Sequence, residues 1–230
     1  KADSSALCFA ALSGTNQSVV LKNDKVELTF DTKGGTISKA IIKGFEDRDN
    51  KMDVTLFDQN TQQMNFMLAG KNENIITKDL FFTPSNVTDS TVTLTAAASN
   101  GGSIVFNYWL GPNYMLHFTF QVNDLNGMFA PNYKEMDIEW TEMARQQEKG
   151  FTFENRYATL TYKEKDGSTD YLSETSEKID EKIETALDWV AFKNQFFSAT
   201  LIAKNEFAAN SLMTSIPQEK GSGFLKQFNA

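Results

Sequence analysis

The sequence predicts an all-β protein with a large aromatic core, and three observations carry that prediction. The segment Val26–Phe30 alternates apolar with polar residues and is followed by Gly34-Gly35, the pattern of a half-buried strand that ends in a turn. The segment Trp189–Ala203 is apolar on both of its faces, as expected of a strand with protein on each side. The chain also has 19 Phe among 230 residues, enough aromatic side chains for a substantial core.

Further strands follow in order along the first half of the chain. After Gly34-Gly35 the alternation resumes over Thr36–Lys43, so these two strands are predicted to form a hairpin. The next apolar alternation, Val92–Ala96, is followed after a glycine-containing turn by Ile104–Leu110 and, after another, by Tyr114–Phe120. The middle of the chain is therefore predicted to be an antiparallel β-meander.

The second half continues the pattern with one exception. Met136–Trp140 and Asn155–Tyr162 alternate in the same way and are predicted to be strands, whereas Trp189–Ala203 is predicted to be one strand near the centre of a thick sandwich. In Glu174–Leu187 two isoleucines lie one helical turn apart among charged residues, which predicts a short surface helix or a mobile charged loop. This density of strands favours packed antiparallel sheets over a βαβ fold.

The domain organisation and the charge of the chain set further limits. No change of composition, Pro-rich linker or repeat divides the chain, so residues 19–230 are predicted to be one domain and residues 1–18 an N-terminal linker or edge segment. The net charge of -8 argues against nucleic acid as a partner, because binding to phosphates depends on clustered Lys and Arg. The longest apolar stretches, Ala6–Leu12 and Ala199–Ala203, are far shorter than the roughly 20 residues of a membrane-spanning helix.

Two types of side chain were considered for catalysis. His117 is the one histidine of the chain, and alternation places it on the face opposite Leu116 and Phe118, which favours a solvent-facing or hydrogen-bonded strand residue over an acid or base. Cys8, the one cysteine, lies in a small apolar run with no histidine near it in sequence, so inert packing or a frayed terminus is favoured over a nucleophile. A single cysteine also excludes an intramolecular disulfide.

Two further groups were considered for ligand binding. Glu135, Asp137 and Glu139 alternate along one strand and present three carboxylates on one face, an arrangement that a hard cation such as calcium would accept. Ordinary strand alternation also predicts a solvated outer face at these positions, and that interpretation is favoured. Aromatic side chains often line sugar clefts, and the three tryptophans were considered for such a role, but their spacing is more typical of core residues. They are Trp109, Trp140 and Trp189.

Several segments resemble the large periplasmic domain of the bacterial YidC membrane insertase family (YidC/Oxa/Alb). The resemblance covers the chain from about Val19 to its end, and its most specific part is Trp-Val-Ala-Phe-Lys-Asn-Gln-Phe-Phe, at residues 189–197. The Gly-Gly turn alone would be a weak signal. The segments that carry the likeness are Asn23–Gly35, Gln146–Gly150, Phe153–Tyr157, Asp170–Glu174 and Trp189–Phe197.

The resemblance implies a β-supersandwich of mostly antiparallel strands with minor short helices and a topology similar to that of galactose mutarotases. It implies a location at the periplasmic face of the bacterial inner membrane, between the first and second transmembrane helices of a multi-pass protein. It assigns no catalytic, cofactor-binding or metal-binding residue to this chain. It also implies that the domain continues with further strands beyond Ala230.

The leading functional hypothesis is therefore a non-enzymatic domain of a membrane protein insertase and chaperone that contacts other proteins. Its implied partners are accessory subunits of the Sec translocon and nascent membrane proteins. The alternative is a carbohydrate-binding or mutarotase-like module that uses a cleft of the sandwich, although one histidine makes the paired acid and base of a mutarotase hard to assemble. An extracellular adhesion sandwich would show similar alternation, but it would not be expected to contain Trp189–Phe197.

Overall fold

The computed structural model describes residues 8–125, 127–174 and 177–230, and their regular structure is mostly β-strand. In chain order the first strands are β1 (Ser18–Lys22), β2 (Val26–Asp31), β3 (Ile37–Glu46), β4 (Met52–Phe57), β5 (Gln62–Ala69), β6 (Asn74–Ile76), β7 (Thr83–Ser85), β8 (Thr91–Ala97), β9 (Ser103–Leu110) and β10 (Leu116–Asn123). The later strands are β11 (Asp137–Arg145), β12 (Thr159–Glu164), β13 (Thr169–Tyr171), β14 (Ile179–Ile183), β15 (Leu187–Lys193), β16 (Ser198–Phe207), β17 (Ser211–Pro217) and β18 (Phe224–Asn229).

Helices contribute little to the described residues. One α-helix, α1, spans Phe151–Tyr157, and short 3-10 helices span Phe9–Leu12 and Thr77–Asp79. None of these helices has the length and apolar character needed to cross a membrane.

The described residues divide into two compact units. The first unit contains the chain up to Lys43 together with Met64–Ile138, and the second contains Gly44–Gln63 together with Glu139–Ala230. The expected organisation, with one domain over residues 19–230 preceded by a linker or edge segment over 1–18, stays a prediction.

The first unit contains two antiparallel sheets. Strands β1, β2 and β3 pair in that order, and the hairpin of β2 and β3 turns at Gly34-Gly35 as predicted. The other sheet has the order β10-β9-β8-β7, which confirms the predicted meander. Apolar side chains alternate inward along its strands, for example Val92, Leu94 and Ala96 in β8.

An aromatic cluster fills the space between these two sheets. Phe30 of β2 contacts Tyr108 of β9 with ring centroids 4.6 Å apart, and the Tyr108 hydroxyl donates to the Gly35 carbonyl at 2.8 Å. Gly35 has a φ of +67°, and a Cβ there would lie 2.9 Å from the Phe82 ring. Glycine is therefore required at this turn for two reasons, since larger residues neither favour this conformation nor fit the space.

The second unit also packs antiparallel sheets against each other. One sheet has the order β13-β12-β15-β16, and in another β14, β17, β18 and β11 are neighbours in that order. Trp140 of β11 stacks on Phe192 of β15 with ring centroids 3.9 Å apart, and Phe192 also contacts Phe228 of β18. Because these rings come from both sheets, they form the core of a sandwich. The predicted all-β antiparallel sandwich is confirmed.

Three local predictions differ from the structure. Trp189–Ala203 is a hairpin of β15 and β16 instead of one strand, because Asn194 forms a turn in the middle of the segment. The strand predicted over Asn155–Tyr162 starts at Thr159, since its first residues belong to α1. In Glu174–Leu187, where a helix or loop was expected, residues 179–183 form β14, which pairs with β17. Thr175 and Ser176 of that segment lie outside the described residues.

A candidate interaction site in the second unit

The segment between β11 and α1 is held by one buried carboxylate. Glu154 of α1 is 1% exposed, and its two oxygens accept hydrogen bonds from the backbone N–H groups of Gln147 (2.9 and 3.1 Å) and Glu148 (2.9 Å). Burial raises the pKa of this carboxyl, and the hydrogen bonds partly offset the rise. The Gln147 side chain in turn donates to the Thr55 carbonyl at 2.8 Å, which joins the segment to β4.

Replacing Glu154 with glutamine is expected to lower the free energy of unfolding by about 2 kcal/mol, because one acceptor oxygen becomes an amide donor that faces two buried N–H groups. Urea denaturation followed by circular dichroism measures the change. Exposed Glu148 is the matched control, and its replacement with glutamine is expected to have a much smaller effect. Equal midpoints for Glu154→Gln and Glu148→Gln would contradict the proposed role of the buried carboxylate.

A second polar side chain shapes the turn between β15 and β16. The Oδ1 atom of Asn194 accepts the N–H groups of Phe196 (3.1 Å) and Phe197 (2.8 Å), which is the geometry of an asparagine turn. Its Nδ2 atom donates to the carbonyl of Arg145, the last residue of β11, at 3.3 Å. The turn is thereby fixed beside the segment that leads into α1.

Aromatic side chains of α1, of the turn at Asn194 and of the end of β3 are exposed to solvent. Phe196 is the most exposed at 62%, and Phe197 beside it meets the ring of Phe45 edge-on, with centroids 5.6 Å apart. On α1, Phe153 and Tyr157 lie one helical turn apart, and their rings are 5.3 Å apart. We call the four exposed rings the aromatic corner; they are Phe45, Phe153, Tyr157 and Phe196.

A polar recess of about 340 Å³ lies between residues 145–147, at the end of β11, and residues from two other parts of the same unit, 47–55 and 222–224. The Arg48 side chain reaches across it and donates to Gln146 Oε1 at 2.9 Å, while Arg145 forms an ion pair with Asp58 and lies over the Phe224 ring. The N–H groups of Lys51 and Asp49 donate to Asp47 and lower the pKa of its carboxyl. The lining therefore provides charged groups and hydrogen-bonding groups.

The two residues considered for catalysis lie in the first unit, apart from one another. His117 is exposed, as predicted, and its imidazole stacks on the indole of Trp109 with ring centroids 4.0 Å apart. Cys8 is 5% exposed, and burial, with a smaller contribution from the charge of Glu73, raises the pKa of its thiol to about 11. The thiol is therefore protonated at neutral pH and is a poor nucleophile, which agrees with the prediction of inert packing.

The three carboxylates and the tryptophans that are candidates for ligand binding lie partly on the surface and partly in the core. Glu135, Asp137 and Glu139 are all exposed, but Glu135 precedes β11, so only Asp137 and Glu139 alternate along the strand as predicted. Within the described ranges no three His, Cys, Asp or Glu side chains are arranged to hold a metal ion. Trp140 is a core residue, whereas Trp109 is 56% exposed, so the core prediction was wrong for Trp109. Its position in β9 faces outward, opposite His117 of β10 and Thr91 of β8.

Comparisons with known proteins agree with the fold and identify the family. In the solved structures, a galactose mutarotase-like protein from Lactobacillus casei matches with a TM-score of 0.54 at 14% identity, covering 93% of this chain and 87% of that one. At this identity the match shows the fold alone, and it confirms the predicted mutarotase-like topology.

Curated relatives are considerably closer in sequence. The membrane protein insertase YidC of Phocaeicola vulgatus is 48% identical over 99% of this chain, and that of Bacteroides fragilis is 40% identical over 100% of it. The chain spans 36% and 37% of the lengths of these two relatives. The family described as the YidC periplasmic domain matches residues 18–228. This chain therefore belongs to the YidC periplasmic domain family.

Proposed function

We propose that this chain is the non-enzymatic periplasmic domain of a membrane protein insertase and assists the insertion and folding of inner-membrane proteins through protein–protein contacts. The names of its relatives support the insertase assignment. The partners that we propose are accessory subunits of the Sec translocon and nascent membrane proteins. Transmembrane helices outside this chain would hold the domain at the periplasmic face of the inner membrane.

The aromatic corner is the observation that carries the proposed protein contacts. Large exposed aromatic rings are enriched at protein interfaces, because they bury a large area on binding while losing little conformational entropy. Glu154 and Asn194 accept hydrogen bonds from backbone N–H groups and so fix the backbone that presents these rings, which leaves little further ordering to binding. Three of the four rings of the corner lie in segments that carry the family resemblance, Phe153–Tyr157 and Trp189–Phe197, of which the second is the more specific.

A sheet edge near this corner provides a second kind of contact. In the described part of the chain β16 pairs with β15, and the order β13-β12-β15-β16 places it at the edge of its sheet. Charged residues and prolines protect edge strands from pairing with another chain. Residues 198–203 of β16 contain neither. An extended segment of a partner can add to such an edge through backbone hydrogen bonds.

Replacing three rings of the aromatic corner in the full-length protein is expected to weaken its association with Sec accessory subunits at least about tenfold, the loss of roughly 1.4 kcal/mol of binding. The variant carries Phe45→Ala, Phe153→Ala and Phe196→Ala. Purification of the full-length protein from solubilised membranes, with quantitative immunoblots for the Sec subunits, measures the association. Insertion of a model membrane protein is followed in parallel.

The matched control removes three exposed apolar side chains from other parts of the same unit. They are Met52, Tyr171 and Leu212, with exposures of 59%, 54% and 71%. This triple alanine variant is expected to retain the Sec subunits. Undiminished recovery with the corner variant, or an equal loss with the control, would contradict the proposed contact site.

A further inference from the structure

The outer face of the β10-β9-β8-β7 sheet is free of charged side chains. Strand alternation places fourteen positions on it, two in β7 and four in each of the other strands, starting from Thr83, Thr91, Ser103 and His117. None of the fourteen is Lys, Arg, Asp or Glu, although 23% of the chain is charged and about three would be expected at that frequency. We call this surface the uncharged face.

Hydroxyl and amide side chains form a hydrogen-bonded row across the uncharged face. The Thr93 hydroxyl of β8 donates to Asn107 Oδ1 of β9 at 2.9 Å, and Asn107 Nδ2 donates to the Thr119 hydroxyl of β10 at 3.3 Å. Asn107 Nδ2 also lies 3.5 Å from Gln121 Oε1. Because these neighbours fix each other's orientation, the row presents donors and acceptors in a defined pattern.

An exposed indole lies beside this row, on its middle strand. Trp109 follows Asn107 by two residues in β9, so the two side chains project from the same face about 7 Å apart. The His117 imidazole stacks on Trp109 at an interplanar angle of 13°, which supports the indole while leaving it 56% exposed. The buried Phe106 and Tyr108 alternate with these residues toward the core and hold the strand beneath them.

The chemistry of the uncharged face selects one class of ligand. A phosphate-bearing ligand would need cations, which are missing from the fourteen positions, and a hydrophobic protein interface would need more apolar side chains than Val105 and Trp109 provide. A neutral sugar has C–H groups on its ring faces, which suit an indole, and hydroxyls around its rim, which pair with amides and threonines. The face extends about 20 Å from Ser103 to Trp109, long enough for a short oligosaccharide.

We propose that the uncharged face binds neutral glycans, with Trp109 stacking on a sugar ring and the row of Thr93, Asn107, Thr119 and Gln121 bonding to its hydroxyls. This site lies on the outer surface of one sheet in the first unit, and it differs from the sandwich cleft considered from the sequence. It requires no acid or base pair, because binding alone is proposed. It is also independent of the aromatic corner in the second unit.

Three neutral tetrasaccharides are the probes: chitotetraose, cellotetraose and maltotetraose. Calorimetric titration is expected to show that at least one binds with a dissociation constant of about 1 mM or lower. The same sugar is expected to change the fluorescence of Trp109, the most exposed of the three tryptophans in the described residues. Absence of binding by all three sugars at about tenfold higher concentration would overturn the proposal.

Substitutions then locate the site. Trp109→Ala is expected to weaken binding at least about tenfold and Asn107→Ala about threefold, whereas Trp109→Phe retains a stacking surface and is expected to lose less than Trp109→Ala. Tyr171→Ala is the matched control, since Tyr171 is 54% exposed in the second unit. Circular dichroism checks that each variant is folded. Unchanged binding by Trp109→Ala, or an equal loss with Tyr171→Ala, would refute the assignment.

Discussion

Replacing Glu142 with glutamine is expected to stabilise the protein by about 3 kcal/mol at pH 7. Glu142 of β11 is 2% exposed, and its Oε2 atom has no hydrogen-bond partner within the described residues. Burial raises the pKa of this carboxyl from its ordinary value of 4.5 to about 8. At pH 7 Glu142 is therefore protonated in the folded protein and ionised in the unfolded chain. Folding must take up a proton from solution, and the free energy of this proton uptake opposes folding.

The sign of the pH dependence follows from this difference. Between about pH 4.5 and 8 the folded state binds one more proton at Glu142 than the unfolded state. The free energy of unfolding is therefore highest below pH 4.5, where both states are protonated, and it falls as the pH rises to 8. Glutamine does not titrate, so the difference between the two proteins should shrink to less than about 1 kcal/mol at pH 5. Urea denaturation at several pH values between 5 and 8 measures it.

A second buried group provides the matched control. Lys226 of β18 is 1% exposed, its Nζ atom has no hydrogen-bond partner within the described ranges, and burial lowers the pKa of its ammonium group. It lies on the same face of the sheet as Glu142, because it pairs with Ala144 two residues along β11. The Lys226→Met variant should retain the pH dependence due to Glu142. Destabilisation by Glu142→Gln at pH 7 would contradict the prediction and indicate that the carboxylate is ionised and paired.

Truncating Phe106 to alanine is expected to destabilise the protein by about 4 kcal/mol, the usual range for removal of a buried aromatic side chain. Phe106 of β9 is fully buried, and its ring centroid lies between 5.1 and 5.9 Å from four other aromatic rings. Those rings are Phe66, Phe82, Tyr108 and Phe120. Since all belong to one rigid cluster, we expect only partial collapse around the cavity.

Thermal and urea denaturation followed by far-ultraviolet circular dichroism measure this loss. Phe153→Ala is the control, because Phe153 is 56% exposed and its removal is expected to change stability by less than about 0.5 kcal/mol. A loss below about 1 kcal/mol for Phe106→Ala would show that the aromatic cluster repacks readily and that the rigidity inferred for it is wrong.

Where the sequence contains both an alternation and a turn signal, the fold could be predicted. The hairpins of β2 with β3 and of β9 with β10 were found because glycine marks the end of each alternation. The hairpin within Trp189–Ala203 is not evident from the sequence, because the apolar residues on both sides of Asn194 have the pattern of one continuous buried strand and a single asparagine is a weak turn signal. In α1 the seven residues Phe151–Tyr157 are too few for a clear helical period.

The candidate site was harder to predict than the fold. The segments of the aromatic corner could be identified by resemblance, but the contact of Phe45 with Phe197 joins positions 152 residues apart, which strand periodicity does not relate. Glu142 left a visible signal, since it interrupts the buried alternation of Trp140 and Ala144. The alternation of β9 also indicated the exposure of Trp109, because Tyr108 and Leu110 on either side of it face the core, but a tryptophan in a strand is more often buried.

The position of β18 between β17 and β11 has a consequence for the protein during its synthesis. Thr141 of β11 is bonded to Asn229 of β18, 88 residues further along the chain. At translation rates of 5–20 residues per second, β18 is synthesised roughly 4 to 18 s after β11. During that time the sheet of the partly synthesised chain is incomplete, and the Trp140 side of β11 is uncovered. Self-association competes most strongly with folding at this stage, because an unpaired strand and apolar side chains are both exposed.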